Sequence, residues 1–375
     1  MAFSKKSIVF SIVILVFFCL AAGCTGTSSQ GSPAPVMSEV SFYEPYPLAF
    51  SNAFYQQQIP SVSYDLINPS SEPVTVRITS DFPGYSTPSV DTLTLQPGES
   101  ETVDHVIRFD PQKIGSIHST TKLNLATKTE YLSGSDWKTI NEQTALIEVY
   151  PEDSMVWSIA DSDGNTTALD EYIAVFVTPQ SPAVMELLAS AKEYATTSYD
   201  SRYADYGLER SLQGYQYSGS SKKDYAEYSA LQVKAVYNAL KYNYKVSYVN
   251  TPVGISLTNN VQHINVPDVS LKLASANCVD GSVLFASALE AMGMNPYLIL
   301  YPDHAYVAWD TDSEGTAQEA LETTMIGSAD FDDAYATGTE EFISNLDKFS
   351  RDTAGNGYQI ISISDARKNG IYPLK

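Results

Sequence analysis

Cysteine is scarce in this chain: Cys19, Cys24 and Cys278 are the only three in 375 residues. Basic residues are scarce as well. The 22 Lys and Arg stand against 44 Asp and Glu, a formal charge of −22. Phosphate binding needs clustered Lys and Arg, so this balance argues against nucleic acid as a partner. An acidic surface favours solubility and also suits a high-salt milieu, and composition does not choose between them. Histidine is limited to positions 105, 118, 263 and 304, which narrows any search for a general base. No internal repeat is apparent, and no acidic cluster has the spacing of an EF-hand. What remains is a chain long enough for two domains of ordinary size plus a leader. Its hydrophobic content of 43% is sufficient for real cores.

The leader comes first. Lys5 and Lys6 give a positive start, and Ser7 to Ala22 form a short apolar run. Ala21-Ala22-Gly23-Cys24 then leads small residues into a cysteine. This resembles the lipobox of prokaryotic lipoproteins, archaeal ones included, in which the cysteine is lipidated after cleavage. Residues 1–23 are therefore expected to be a signal peptide, with Cys24 as the lipidation site. Ala21 stands where such motifs more often carry a branched aliphatic. A plain secretory signal and an uncleaved anchor are the alternatives. Each version puts the rest of the chain outside the cytoplasmic membrane. The expected location is the cell membrane, lipid-anchored and facing the extracellular side. One lipid chain anchors only marginally, so stable attachment needs a second chain or contact. Residues 24–37, rich in Ser, Gly and Pro, read as a flexible tether.

With the leader removed and Cys24 lipidated, Cys278 has no intrachain disulfide partner. A small buried residue is the bland explanation. The surroundings of Cys278 point elsewhere, as set out below.

Residues 38–153 read as an all-β accessory domain. Val62 to Ile67 and Val74 to Ile78 alternate, separated by the turn Asn68-Pro69-Ser70-Ser71. Leu93-Thr94-Leu95 runs into a second turn at Gln96-Pro97-Gly98, and further strands are expected at 102–109, 120–131 and 144–150. Short alternating strands cut by Pro, Gly and Asn favour an antiparallel sandwich. The segments "NPSSEPVTV" and "LTLQPGES" resemble the immunoglobulin-like accessory domains of secreted proteins. His105 and His118 are lone histidines there, without a catalytic constellation.

Residues 154–375 form the second expected domain. Asp161 to Asn165 looks faintly like a calcium loop, but a solvated turn suits the spacing better. Asn165-Thr166-Thr167 is a glycosylation sequon. From Pro182 the pattern turns helical, with helices expected at 184–195 and 224–242 and a strand at 244–249. A helix near 339–349, a strand at 358–363 and a final short helix close the chain.

The informative stretch runs from Asn277 to Gly293. Leu284, Phe285, Ala288, Leu289 and Met292 recur at helical spacing, Asn277 suits an N-cap, and Gly293 suits a stop. Cys278 therefore falls in the first helical turn. There the helix dipole and unpaired N–H groups favour the thiolate and leave it exposed. Tyr297 to Tyr301 and His304 to Trp309 read as two strands, and Ala317 to Thr323 as a third. With residues 312–314 at the tip, His304 pairs with Glu322, Cβ atoms roughly 5 Å apart. The carboxylate then fixes the imidazole, whose other nitrogen faces the Cys278 sulfur. A one-residue slip would send Glu322 to the opposite face and make Asp310 and Asp312 the rival acids. Taken singly, His304 could be a satisfied core histidine and Glu322 a solvated strand residue. Their coincidence with a lone thiol at a helix start favours a triad. His263 is the only other histidine in this half.

This order, Cys at a helix start, then His and acid on successive strands, resembles the transglutaminase-like superfamily. The matching residues are Val236 to Leu240, Val246-Ser247-Tyr248, "VPDVSLKLASANCVDGSVLFASALEAMG", "DHAYVAW" and "LETTMIG", together covering about residues 230 to 330. The resemblance implies a papain-like α+β fold with Cys278, His304 and Glu322 as triad. Ala276 stands where family members commonly carry Gly, Glu322 where the acid is often Asp, and Tyr306 where Trp is frequent. Gln262 is the candidate second oxyanion donor beside the Cys278 N–H. Asp280 either meets a substrate amine or adds charge to the helix start. The implied activity is acyl transfer on a protein or peptide substrate. Water as acceptor gives a peptidase or amidase, and an amine gives cross-linking. Without an acidic calcium cluster, hydrolysis is favoured. A non-catalytic surface module, with the β-domain binding a partner, is the rival class. No cofactor or metal is expected.

Overall fold

The computed structural model describes residues 35–42, 44–160, 166–217, 219, 221–250, 261–351 and 357–374. The signal peptide, most of the tether, the lipidation site Cys24 and the Asp161–Asn165 turn with the start of its sequon lie outside the described residues. The chain divides into two compact units of mixed helix and sheet. The first comprises the residues up to Glu152 together with 159–167, and the second comprises 153–158 together with 168 onward.

The first unit is built on two sheets. Met37–Phe42, Val62–Ile67 and Ser100–His105 form an antiparallel three-stranded sheet. A five-stranded sheet runs in the order Tyr46–Pro47, Asp136–Tyr150, Thr121–Ser133, Val74–Asp81, Ser89–Leu95. Alternation is strict in Val74–Asp81, where every second side chain is buried, because successive strand residues face opposite ways. Tyr64 joins the sheets, its hydroxyl donating to the Thr79 carbonyl at 2.8 Å and lying 2.7 Å from Ser80 Oγ. The all-β expectation for this stretch is corrected at Leu48–Gln57, a 3-10 turn running into a helix. Leu48 to Ser51 are buried without a break, followed by Ala53 and Phe54, a pattern that is not the alternation of a strand. Gln58 ends it in the left-handed region, φ 56°.

Ser80, His105 and Asp91 in this unit line up like a serine triad. His105 Nδ1 lies 2.9 Å from Ser80 Oγ, and Nε2 lies 3.3 Å from Asp91. Ser80 is fully buried and His105 almost so. Burial lowers the His105 pKa against the pull of Asp91, and no substrate reaches a sealed hydroxyl. The arrangement is a core contact.

The second unit carries an antiparallel sheet in the order Gln318–Leu321, His304–Asp310, Pro296–Tyr301, Gln359–Ser362. Helix Cys278–Ala291 packs on the strand His304–Asp310. Val283, Leu284, Phe285 and Leu289 are all but completely buried, each worth roughly 1.5–3 kcal/mol for the larger side chains. The helix starts with a capping box. Asn277 accepts from the Asp280 N–H at 2.8 Å, and Asp280 answers toward the Asn277 N–H. It stops at Gly293, whose φ of +79° suits a residue without Cβ. Helices Pro182–Ala191, Lys222–Asn238 and Phe331–Arg351 flank this core. The expected strand at 244–249 shrinks to Ser247–Tyr248, paired in parallel with Ser275–Ala276. The helix expected near 339–349 begins eight residues earlier, at Phe331.

The hairpin register also needs correcting. Val307 faces Leu321 and Asp310 faces Gln318, two residues away from a pairing of His304 with Glu322. The turn centres on Glu314, because Asp312 accepts from the N–H groups of Glu314 and Thr316 and Gly315 takes φ +65°. The third strand ends at Leu321. A shift of two preserves the face, so Glu322 remains on the side of His304.

Candidate active site

Three elements converge here: the start of helix Cys278–Ala291, the start of strand His304–Asp310, and the residue after strand Gln318–Leu321. His304 sits between a sulfur and a carboxylate. Its Nε2 lies 2.7 Å from Glu322 Oε2, and the Cys278 side chain is near enough to the ring to raise its pKa. With Nε2 committed to Glu322, Nδ1 is the nitrogen left to serve the sulfur.

Glu322 is fixed independently of His304. It caps the 3-10 turn Thr323–Met325, its Oε1 accepting from the Thr324 N–H at 2.8 Å and from the Thr324 hydroxyl. Burial alone would raise its pKa, but the hydrogen bonds and charge of His304 and the Thr324 donors hold it below the usual carboxylate range. His304 is shifted in the complementary sense. Burial opposes its charge, yet hydrogen bonds to Cys278 and Glu322 and their charges outweigh this and lift it to about 10. A partly buried imidazolium held by a buried carboxylate is the electrostatic signature of the site.

That shift has a stability consequence. The folded-state pKa of His304 is above its ordinary value of 6.5. Its contribution is therefore complete below about pH 6.5 and is lost as pH rises toward about 10. Thermal melts across that window should show wild type losing stability more steeply than His304→Gln. Parallel curves would mean that His304 is not held charged in the folded state.

Cys278 is the first residue of its helix, as its spacing implied, but it is not exposed. Only 7% of it is accessible. The paired segments Ser247–Tyr248 and Ser275–Ala276 run into this helix start, with the Val249 N–H bonded to the Ala276 carbonyl. Tyr248 stands beside the site and is 39% exposed. Burial raises its pKa, and the Cys278 and Glu322 charges add to that effect. Cys278 is a free cysteine.

The other sequence candidates separate from this centre. Asp310 stands at the far end of the strand, roughly 20 Å from His304 at about 3.3 Å per residue. It accepts from Asn295, Tyr297 and Gln318 in a buried polar knot. Asp312 is spent on the turn. Asp280 is buried, with Asn265 donating to both of its oxygens at 2.8 and 2.9 Å. Burial raises its pKa and those donors oppose it. Its contacts are those of a cap. His263 pairs with Asp153 at 3.4 Å. Gln262 is buried on Val261–His263, opposite Met155. Its Oε1 has no hydrogen-bond partner among the described residues, and the amide is bonded to neither Cys278 nor His304.

Two features escaped the sequence reading. Glu341, on helix Phe331–Arg351, has its Oε2 held by the Tyr301 hydroxyl at 3.1 Å. Nε2 or Nδ1 of His304 and one oxygen each of Glu322 and Glu341 lie within 4.8 Å of one another. The second feature is Gly338, where the same helix meets the strand end. A Cβ there would lie 2.5 Å from the Glu322 backbone nitrogen and 2.7 Å from the Leu321 carbonyl carbon. A glycine in mid-helix followed by an acid three residues later, on one face, is the signal that could have found both. Gly338→Ala gains about 1 kcal/mol of helix propensity. Overpacking against backbone costs about 1–3 kcal/mol, so the net effect is destabilising. It also displaces Glu322, and a misplacement near 1 Å costs about 100-fold in rate. Melting temperature and turnover should therefore fall together. A variant as stable and active as wild type would contradict the contact.

Comparison with known proteins adds little. No family model matches the chain, and no curated protein matches it. A solved structure similar to part of it is the FixG-related protein from Vibrio parahaemolyticus, 15% identical, covering 31% of this chain and 97% of that one. The TM-score is 0.21, too low to carry an argument about fold or function.

Proposed function

We propose that this chain is a cysteine hydrolase that cleaves peptide amide bonds through a thioester, with Cys278 as nucleophile, His304 as base and acid, and Glu322 as orienting acid. The observation that carries the reading is His304 hydrogen-bonded to Glu322, with the Cys278 side chain among the groups that raise its pKa. The second unit is then a transglutaminase-like, papain-like domain. The first is an immunoglobulin-like sandwich that accompanies it. Cys24 would anchor the chain by lipid on the outer side of the cell membrane. Among the described residues no helix is long and apolar enough to cross a membrane.

The chemistry balances on these residues alone. The sulfur attacks the amide carbonyl and a C–S bond forms. The carbonyl oxygen takes the charge, stabilised by the Cys278 N–H, which has no intrahelical acceptor. The C–N bond breaks as His304 passes its proton to the leaving amine. Neutral His304 then takes a proton from water, whose oxygen attacks the thioester. Sulfur leaves and the acid product departs. Glu322 holds the imidazole orientation throughout and stabilises its charged form.

A primary amine in place of water would give cross-linking, the second acyl-transfer outcome. The burial of Cys278 favours a third reading, a non-catalytic surface binding or scaffold protein. Incubation with a peptide library, with and without an added primary amine, distinguishes these. Cleavage products without amine incorporation are expected. Amine adducts in their place would make the chain a cross-linking enzyme, and a folded protein yielding neither would favour the scaffold.

A further inference from the structure

Glu341 has no part in the mechanism above, yet it completes a donor set. One imidazole nitrogen of His304 and one oxygen each from Glu322 and Glu341 lie within 4.8 Å of one another. They come from a strand start, a strand end and a helix, so the backbone holds them independently. Tyr301 binds Oε2 of Glu341 at 3.1 Å, which leaves Oε1 for another partner. Tyr306 supplies a separate observation. It is fully buried, and its hydroxyl has no hydrogen-bond partner among the described residues. Its ring centroid lies 6.0 Å from that of His304. After burial, the charges that act on this hydroxyl are those of Glu341 and Glu322. A buried hydroxyl beside two carboxylates and an imidazole is placed to meet a water on a bound cation.

We propose that His304, Glu322 and Glu341 form a zinc site, with the Tyr306 hydroxyl facing the water on the ion, and that zinc held there switches the hydrolase off. One imidazole and two carboxylates are ligands zinc accepts, and a fourth position for water gives the usual tetrahedral count. Tetrahedral bonds of about 2.0–2.2 Å set donors about 3.4 Å apart, so the His304–Glu322 pair, now at 2.7 Å, opens slightly while half-buried Glu341 closes on it. Zinc on Nε2 displaces one proton to solvent and takes that nitrogen from Glu322. It also draws electron density from Nδ1, so His304 no longer accepts a proton. The switching role rests on the catalytic reading, whereas the metal site does not.

The competing ligand is the Cys278 sulfur, and Cys278→Ala removes it. Isothermal titration of zinc chloride into the full chain should show Cys278→Ala binding one ion. The cobalt complex of wild type should lack the thiolate-to-cobalt charge-transfer band. Adding Glu341→Gln should weaken zinc binding by at least about tenfold. Hydrolysis by wild type should be inhibited by zinc and restored by a chelator, with Glu341→Gln inhibited only at higher zinc. Zinc bound by wild type but not by Cys278→Ala would put the ion on sulfur and overturn the site. Unchanged affinity in Glu341→Gln, or no binding at all, would overturn it as well. A chain that binds zinc as described but cleaves no peptide would sink the hydrolase reading and leave the metal site standing.

Discussion

Cys278→Ala should lower peptide cleavage by about 10⁴-fold or more while leaving the melting temperature within a few degrees of wild type. Removing the nucleophile of a triad removes the covalent route entirely, and what persists comes from binding and the oxyanion donors. The fold should tolerate the change. The site is small and the helix is started by Asn277 and Asp280 rather than by the sulfur. Cleavage kinetics and circular dichroism on the same preparation check both halves. Retained cleavage would mean that another group does the chemistry. A collapsed fold would mean that Cys278 serves packing.

Glu322→Gln should cost about 10³–10⁴-fold, the effect expected when an orienting carboxylate becomes an amide. It should also change the shape of the pH–rate profile. In wild type His304 keeps its proton to about pH 10, so the alkaline limb should lie near there. Burial works against that charge, and Cys278 and Glu322 work for it. Losing the Glu322 charge lets desolvation act with less opposition, so the limb should move down toward the ordinary histidine value. The deficit should then be larger at pH 9 than at pH 6. A uniform loss at every pH would assign Glu322 to structure alone. An unchanged limb would mean that His304 is not the titrating acid.

Much of the centre could be read in the chain because its determinants are local. Apolar spacing from Leu284 to Met292 sets the helix, Asn277 sets its start, and Cys278 follows. The hairpin was legible in its face but not in its register. Asp312 gripping Glu314 and Thr316 moves the tip by one residue, and that grip is a side-chain event that alternation does not encode. The error was harmless to Glu322 because a two-residue shift returns each side chain to the same face. Burial of Cys278 was not legible, since it depends on Ser247–Tyr248 pairing with Ser275–Ala276 across nearly thirty residues of chain. Glu341 was invisible for the same reason. Its place depends on helix Phe331–Arg351 docking through Gly338 onto Leu321 and Glu322. In the first unit, helix Ser51–Gln57 was hidden among strands because its buried face is only three residues long.

The most direct test is the rate at which iodoacetamide alkylates Cys278 at pH 7, for wild type and His304→Ala beside free cysteine. A free thiol is only a few per cent thiolate at that pH. A sulfur paired with a histidine should therefore react on the order of tenfold faster despite its cover, and His304→Ala should abolish the advantage. A sulfur that reacts no faster than free cysteine, and indifferently to the loss of residue 304, would mean that the contact between them carries no chemistry.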